Sequence, residues 1–245
     1  MVRIFRPIPV EKLKLLVFDL DGTLIDSAQD LCNSVNAALV GFGRQPLADA
    51  TIAGFVGNGA LTLVRRSVAA SDGVPPEAVG QPVLDEVLAY FLRYYREHKL
   101  DFTYAYEGVV EALAALKQLH DDPGTPTRTM AVLTNKPVRP AQGICEGLGL
   151  AGYFTHIYGG DSFATKKPDP EGLRRLMAEA GVAPEQTAMI GDSRVDVQTA
   201  RNAGTWAVGC SFGFGPQNLM DTPPDVVVDT ASDWTSLLFG LHIVS

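Results

Sequence analysis

What this chain lacks narrows its class first. It has no close pair of cysteines: Cys32, Cys145 and Cys210 lie far apart in 245 residues, without the C-x-x-C spacing of a zinc or redox site. They read as buried free thiols of a reducing compartment. The four histidines, His98, His120, His156 and His242, form no H-x-x-x-H pair and read as structural. No run approaches the roughly 20 apolar residues of a membrane span, and the stretch Met1 to Lys14, broken by Pro7 and Pro9, does not read as a signal peptide. Basic runs are missing as well. With 28 acidic against 20 basic side chains the net charge is -8, which argues against a nucleic-acid partner. The expectation is a cytoplasmic monomer or homodimer with no membrane and no nucleic acid among its partners.

What is there is enough apolar material for a full core and a smaller second one: 46% of the residues are hydrophobic. Apolar runs predict core strands at 14–19, 129–134, 156–159, 187–191, 205–208 and 226–228, mostly separated by helical patterns. That order implies βα units and a parallel sheet. The interval from Ser27 to about Tyr104 contains helical patterns and no strand signal. There Leu31, Val35, Ala38, Leu39 and Phe42 recur at helical spacing after an Asp26-Ser27 cap, and Gly41 and Gly43 end the run. Val83, Val87, Tyr90, Phe91 and Tyr94 form a second stripe, read as core.

Four segments carry chemistry. In Val17-Phe18-Asp19-Leu20-Asp21-Gly22-Thr23 an apolar run ends in two carboxylates. Side chains at i and i+2 of a strand point the same way, so Asp19 and Asp21 would share one crevice, roughly 6–7 Å apart, and repel unless a cation sits between them. Mg2+ is the hard divalent candidate. Met130 to Lys136 delivers Thr134 and Asn135 from another strand end. In Lys166-Lys167-Pro168-Asp169-Pro170, Asp169 reads as a helix cap, which leaves Lys167 unexplained. Ala188 to Asp196 runs strand, Gly191, Asp192, helix. Each segment also has a purely structural reading: a capped turn, a Thr-Asn turn with Lys136 in solvent, a capped helix start.

The order Asp-x-Asp-Gly-Thr, Thr, Lys-Pro and Gly-Asp-x-x-x-Asp resembles the four motifs of the haloacid dehalogenase-like phosphohydrolases over most of the chain. The resemblance implies an α/β fold, a Rossmann-like parallel sheet with helices on both faces and an inserted all-helical cap. The core would comprise 1–26 and 105–245, the cap 27–104. It implies that Asp19 is a nucleophile forming an aspartyl-phosphate and that Asp21 is the acid for the leaving alcohol, then the base for water. Lys167 would supply positive charge. Thr134, Asn135 and backbone N–H groups around Leu20 and Gly22, in the turn that includes Thr23, would donate to the phosphoryl oxygens. Mg2+ would be held by the side chains of Asp19 and Asp192 and the carbonyl of Asp21, with Asp196 acting directly or through water.

Within the helical interval, Gly57-Asn58-Gly59 reads either as an ordinary connector or as a loop that approaches a ligand. The run Val56 to Gly59 resembles the cap loop of the phosphoglycolate phosphatase branch. The substrate implied is a small phosphorylated metabolite, foremost 2-phosphoglycolate, whose carboxylate one of Arg65 and Arg66 would meet, although solvated surface charge also accounts for both. A β-phosphoglucomutase-like mutase and a pyrophosphatase share the motifs and stay open, as does a non-catalytic binding module. A dehalogenase would lack the acid at Asp21, and a Schiff-base hydrolase would need a cap lysine, where 27–104 offers only Lys99. The stretch Asp121 to Arg128 reads as a surface loop without a function.

Overall fold

The computed structural model describes residues 1–118 and 128–239. Among them the strands are β1 (Val2–Ile4), β2 (Leu15–Phe18), β3 (Ile25–Asp26), β4 (Tyr104–Ala105), β5 (Thr129–Leu133), β6 (His156–Tyr158), β7 (Thr187–Gly191), β8 (Trp206–Cys210) and β9 (Val226–Val228). Seven of them form one sheet in the order β1-β9-β8-β7-β2-β5-β6. All its pairings are parallel except β1 with β9. The six strands expected from the sequence all form. The antiparallel edge strand β1 was not anticipated, because three residues ahead of a proline carry no period of their own.

Both faces of this sheet are covered, and the strand period assigns each residue to one of them. Leu15 and Val17 of β2 pack with Leu173, Leu176 and Val197, on the side of α7 (Glu171–Ala180) and α8 (Arg194–Ala203). Leu16 and Phe18 pack the other way, against α5 (Val109–Gln118), α6 (Val138–Gly147) and α9 (Ser232–Phe239). Continuous apolar runs in the strands follow from this two-sided burial.

Between β3 and β4 the chain is helical: α1 (Ala28–Gly41), α2 (Asp49–Ala53), α3 (Ala60–Asp72) and α4 (Gln81–His98). The stripe of α4 is Leu84, Val87, Phe91 and Tyr95, with Val83 exposed and Tyr94 half-buried, one position later at its ends than the spacing suggested. Both phases of this helix are apolar, so its packing against α1 and α3 makes the choice. The two crossings into this segment run side by side, Ile25 opposite Ala105 and Asp26 opposite Tyr104. Asp30, overlooked in the sequence, ties them together. Its buried carboxylate accepts from the N–H of Phe102 (3.0 Å), the N–H of Thr103 (2.8 Å) and the hydroxyl of Thr103 (2.6 Å). Asp26, rather than Ser27, caps α1 by accepting from the N–H of Ala28 at 3.0 Å.

Of the expected surface loop, residues 121–127 lie outside the described residues. Arg128 is no surface residue: it is buried and donates to the carbonyls of Val10 (2.9 Å) and Leu13 (3.3 Å).

Trp234 lies edge-on to Phe18, ring centroids 5.2 Å apart, and is fully buried under β2. Trp234→Ala should therefore lower the unfolding free energy by about 3–5 kcal/mol in a urea titration. A loss below 1 kcal/mol would show that this contact does not anchor the sheet.

Candidate active site

The carboxyl ends of β2, β5 and β7 meet in one crevice, where open parallel sheets bind ligands. Asp19 follows β2 directly, its N–H bonded to the carbonyl of Ile190 at 2.8 Å. Its carboxylate accepts from Lys167 Nζ at 2.9 Å and from the N–H of Leu20 at 2.7 Å. Lys167 also donates to Asp196 Oδ1 at 2.6 Å. Asp196 sits in the first turn of α8 and its other oxygen accepts from the N–H (3.1 Å) and hydroxyl (2.6 Å) of Ser193. Asp192 Oδ2 accepts from the N–H groups of Phe214 (2.7 Å) and Gly215 (3.1 Å).

Oxygens of Asp19, Asp192 and Asp196 all fall within 4.8 Å of one another, and all three residues are buried. The site uses glycine to make the room. Gly22 has φ +83°, and a Cβ there would collide with the carboxylate of Asp192. Burial, then the repulsion of Asp196 and Asp19, pushes the Asp192 carboxyl up to about 8. Burial lifts Asp19 to about 6, against the pull of Lys167. Burial opposes the charge of Lys167, yet Asp19 and Asp196 hold it above the ordinary lysine value. A donor set of hard carboxylate oxygens crowded out of water fits a hard divalent cation.

Asp21 does not join this cluster. Strand alternation stops at Phe18, and the chain then coils so that the carbonyl of Leu20 accepts from Leu24 (2.9 Å) and Ile25 (3.1 Å). The expected cation between the Asp19 and Asp21 side chains gives way to two separate arrangements. Asp21 turns to Lys136, whose Nζ lies 2.8 and 3.0 Å from its two oxygens, and accepts from the hydroxyl of Ser27 at 2.5 Å. Lys136 is buried, not solvated, and stands 4.7 Å from the centre of the Tyr95 ring. Burial opposes its charge, but Asp21 raises its pKa. Neither Lys136 nor Tyr95 was singled out in the sequence. The available signal was a lysine wedged between Asn135 and Pro137 at a strand end.

The backbone donors expected for a phosphoryl group are partly committed: Gly22 N–H bonds the carbonyl of Ile25 at 2.9 Å, and Leu20 N–H bonds Asp19. Both donors of Asn135 are also taken. Its Nδ2 reaches the carbonyls of Gly57 and Lys167, each at 3.0 Å, while its Oδ1 is buried without a partner. Thr134 is buried at the end of β5, and its hydroxyl accepts from the N–H of Lys136 at 3.3 Å. Thr23 is fully buried with an unpartnered hydroxyl. Lys166 donates to the carbonyl of Asn58 at 2.7 Å. The Gly57-Asn58-Gly59 loop is thus held against the sheet end by Asn135 and Lys166.

Two cavities meet at Asp21 under this loop. One is walled by Asp19, Asp21, Gly57, Tyr95, Lys136 and apolar side chains. The other is polar and bordered by Asp192, Arg194 and Arg66. Arg66 donates to Asn58 Oδ1 at 3.1 Å, and Arg65 to Gln81 at 3.4 Å.

The family model for haloacid dehalogenase-like hydrolases matches residues 16–210. The chain is 38% identical over 229 residues to a phosphoglycolate phosphatase of Pseudomonas putida, covering 93% of this chain and 79% of that protein. It is 35% identical to a phosphoglycolate phosphatase of Agrobacterium fabrum, covering 92% of each. Among solved structures, a predicted phosphoglycolate phosphatase from Haemophilus somnus superposes with a TM-score of 0.84 at 30% identity, covering 92% of this chain and 98% of the other.

Asp192 gives a pH test. Its folded value of about 8 lies above the ordinary 3.8, so between those pH values the native state binds more protons than the unfolded chain, and stability falls as pH rises through that window. Asp192→Asn should therefore stabilise the chelator-treated protein at pH 8 by on the order of 1–3 kcal/mol in urea unfolding, with little gain at pH 4. Equal effects at both pH values would contradict the carboxylate crowding.

Proposed function

Since the chain belongs to the haloacid dehalogenase-like hydrolases, we propose that it is a Mg2+-dependent phosphatase of small phosphate monoesters, foremost 2-phosphoglycolate. The observation that carries this reading is the buried set Asp19, Lys167, Asp192 and Asp196, of which Asp19 opens onto a cavity that Asp21 also walls. The curated relatives named above support the substrate. On this reading residues 27–104 are the cap and the remainder the core, with the Gly57-Asn58-Gly59 loop placed by the cap over the site. The three buried free cysteines agree with a reducing cytoplasm.

An oxygen of Asp19 attacks phosphorus in line as the bond to the leaving oxygen breaks, and Asp21 gives its proton to the departing alcohol. Asp21 then takes a proton from water, whose oxygen attacks phosphorus while the bond to Asp19 breaks, releasing phosphate and restoring the Asp19 carboxylate and the Asp21 acid. Lys167 offsets the negative charge of the phosphoryl group brought against Asp19. The hydroxyl of Thr134 donates to the phosphoryl group, and Asn135 braces the loop above it. Asp19, Asp192, the carbonyl of Asp21 and Asp196 would hold Mg2+, which when bound screens the repulsion between carboxylate and phosphate.

Phosphate release from a panel of phosphoglycolate, sugar phosphates, pyrophosphate and nucleotides tests the proposal. Phosphoglycolate should lead, activity should vanish on chelation and return with Mg2+, and undiminished turnover in excess chelator would refute the metal requirement. Asp19→Asn should abolish turnover, because a neutral amide cannot form the acyl-phosphate. Asp21→Ala should barely hydrolyse alkyl esters, yet release one burst of phenol from an aryl phosphate, leaving phosphate on Asp19 detectable by intact-protein mass. Near-normal turnover of alkyl esters by Asp21→Ala would defeat the two-step scheme.

A further inference from the structure

The proposed reaction uses Asp21 but leaves its partner, Lys136, without a chemical task. An ammonium has three N–H donors. Among the described residues Lys136 Nζ has two acceptors, the oxygens of Asp21 at 2.8 and 3.0 Å. Beside it, the hydroxyl of Tyr95 is buried and has no hydrogen-bond partner, on a side chain only 3% exposed. Both residues wall the cavity that also reaches Asp19 and Asp21. Leu31, Val56, Leu63 and Phe91 make the rest of that wall apolar. Two donors at the wall of a buried, largely apolar cavity leave hydrogen-bonding capacity unused, which is unfavourable unless a ligand supplies acceptors.

Distances limit what that ligand is. An alcohol oxygen that takes a proton from Asp21 must lie about 2.6–3.2 Å from its carboxyl. In a 2-hydroxy acid ester only two covalent bonds, about 2.5 Å, separate that oxygen from the carboxylate carbon. Such a carboxylate falls within the reach of a group that itself hydrogen-bonds Asp21. Its two oxygens match the two donors. A neutral hydroxyl at the same place offers a single oxygen and no charge to a buried ammonium.

We infer that Lys136 Nζ and Tyr95 Oη form a carboxylate subsite that selects phosphate esters whose leaving group is a small 2-hydroxy acid. This rests on the phosphatase reading above and adds the residues that set its preference. Lys136 is then both the group that orients Asp21 and the anchor of the leaving group, and Tyr95 is an anchor alone.

The test compares kcat/KM for 2-phosphoglycolate with that for 2-hydroxyethyl phosphate, its neutral analogue of equal carbon number, in the Mg2+-loaded enzyme. A purely orienting role for Lys136 moves both values together, whereas a subsite moves their ratio. Lys136→Met should cut the ratio by about 100-fold, and Lys136→Arg should restore part of it. Tyr95→Phe leaves the pair of Lys136 and Asp21 in place. It should lower the ratio by about tenfold, through the KM of the carboxylate-bearing ester. If Lys136→Met does not fold, Tyr95→Phe and Lys136→Arg decide the matter. An unchanged ratio in the variants overturns the subsite and leaves the phosphatase reading standing. A wild-type enzyme that hydrolyses phosphate esters without preferring the carboxylate-bearing one also overturns it. No phosphate release from any ester would instead overturn the phosphatase reading, and the subsite with it.

Discussion

One buried ammonium makes the centre of this molecule possible. Three carboxylates within 4.8 Å of one another, all out of water, repel strongly in a low-dielectric interior. Lys167 lies between two of them, 2.9 Å from Asp19 and 2.6 Å from Asp196, while backbone N–H groups serve Asp192. The compensation is incomplete, which is why burial still lifts Asp192 to about 8. A cluster left short of positive charge fits a divalent cation, and the same deficit gives it its pH dependence.

A second ion pair keeps the two aspartates of the first segment apart. Asp19 belongs to the Lys167 side and Asp21 to the Lys136 side, and each is held by a different lysine, Lys136 after β5 and Lys167 ahead of α7. The separation gives neighbouring carboxylates unlike surroundings, one within the acidic cluster and the other beside the cavity. Both lysines are buried and paired, so removing either would strand a carboxylate in the interior.

Among the described residues, polar contacts of the Gly57-Asn58-Gly59 loop with the sheet end on residues beside the candidate site. Asn135, next to Thr134, bonds the carbonyl of Gly57, and Lys166, next to Lys167, bonds that of Asn58. The ribbon of β3 and β4 and the carboxylate of Asp30 bind the two crossings at the other end. A loop tied to the residues adjoining the site can sense the site, and a cavity closed by that loop takes its shape from both parts of the chain.

The strand runs, their order and the four acidic and basic motifs were legible in the sequence because burial on both faces demands apolar runs and because chemistry at strand ends demands particular residues at short spacing. Asp19, Asp21, Thr134, Lys167, Asp192 and Asp196 were found that way. Tertiary structure alone decided the rest. It put β1 at the edge through pairing with β9, chose the phase of α4 between two apolar alternatives, and buried Arg128. It also separated Asp21 from Asp19, since the i and i+2 rule ends where the strand does. Lys136 and Tyr95 are 41 positions apart on different elements, each ordinary in its own neighbourhood, and only the docking of α4 over the end of β5 makes them neighbours of Asp21. Local spacing records which groups a strand end delivers, but which distant side chain arrives to pair with them depends on long-range packing that no local pattern encodes.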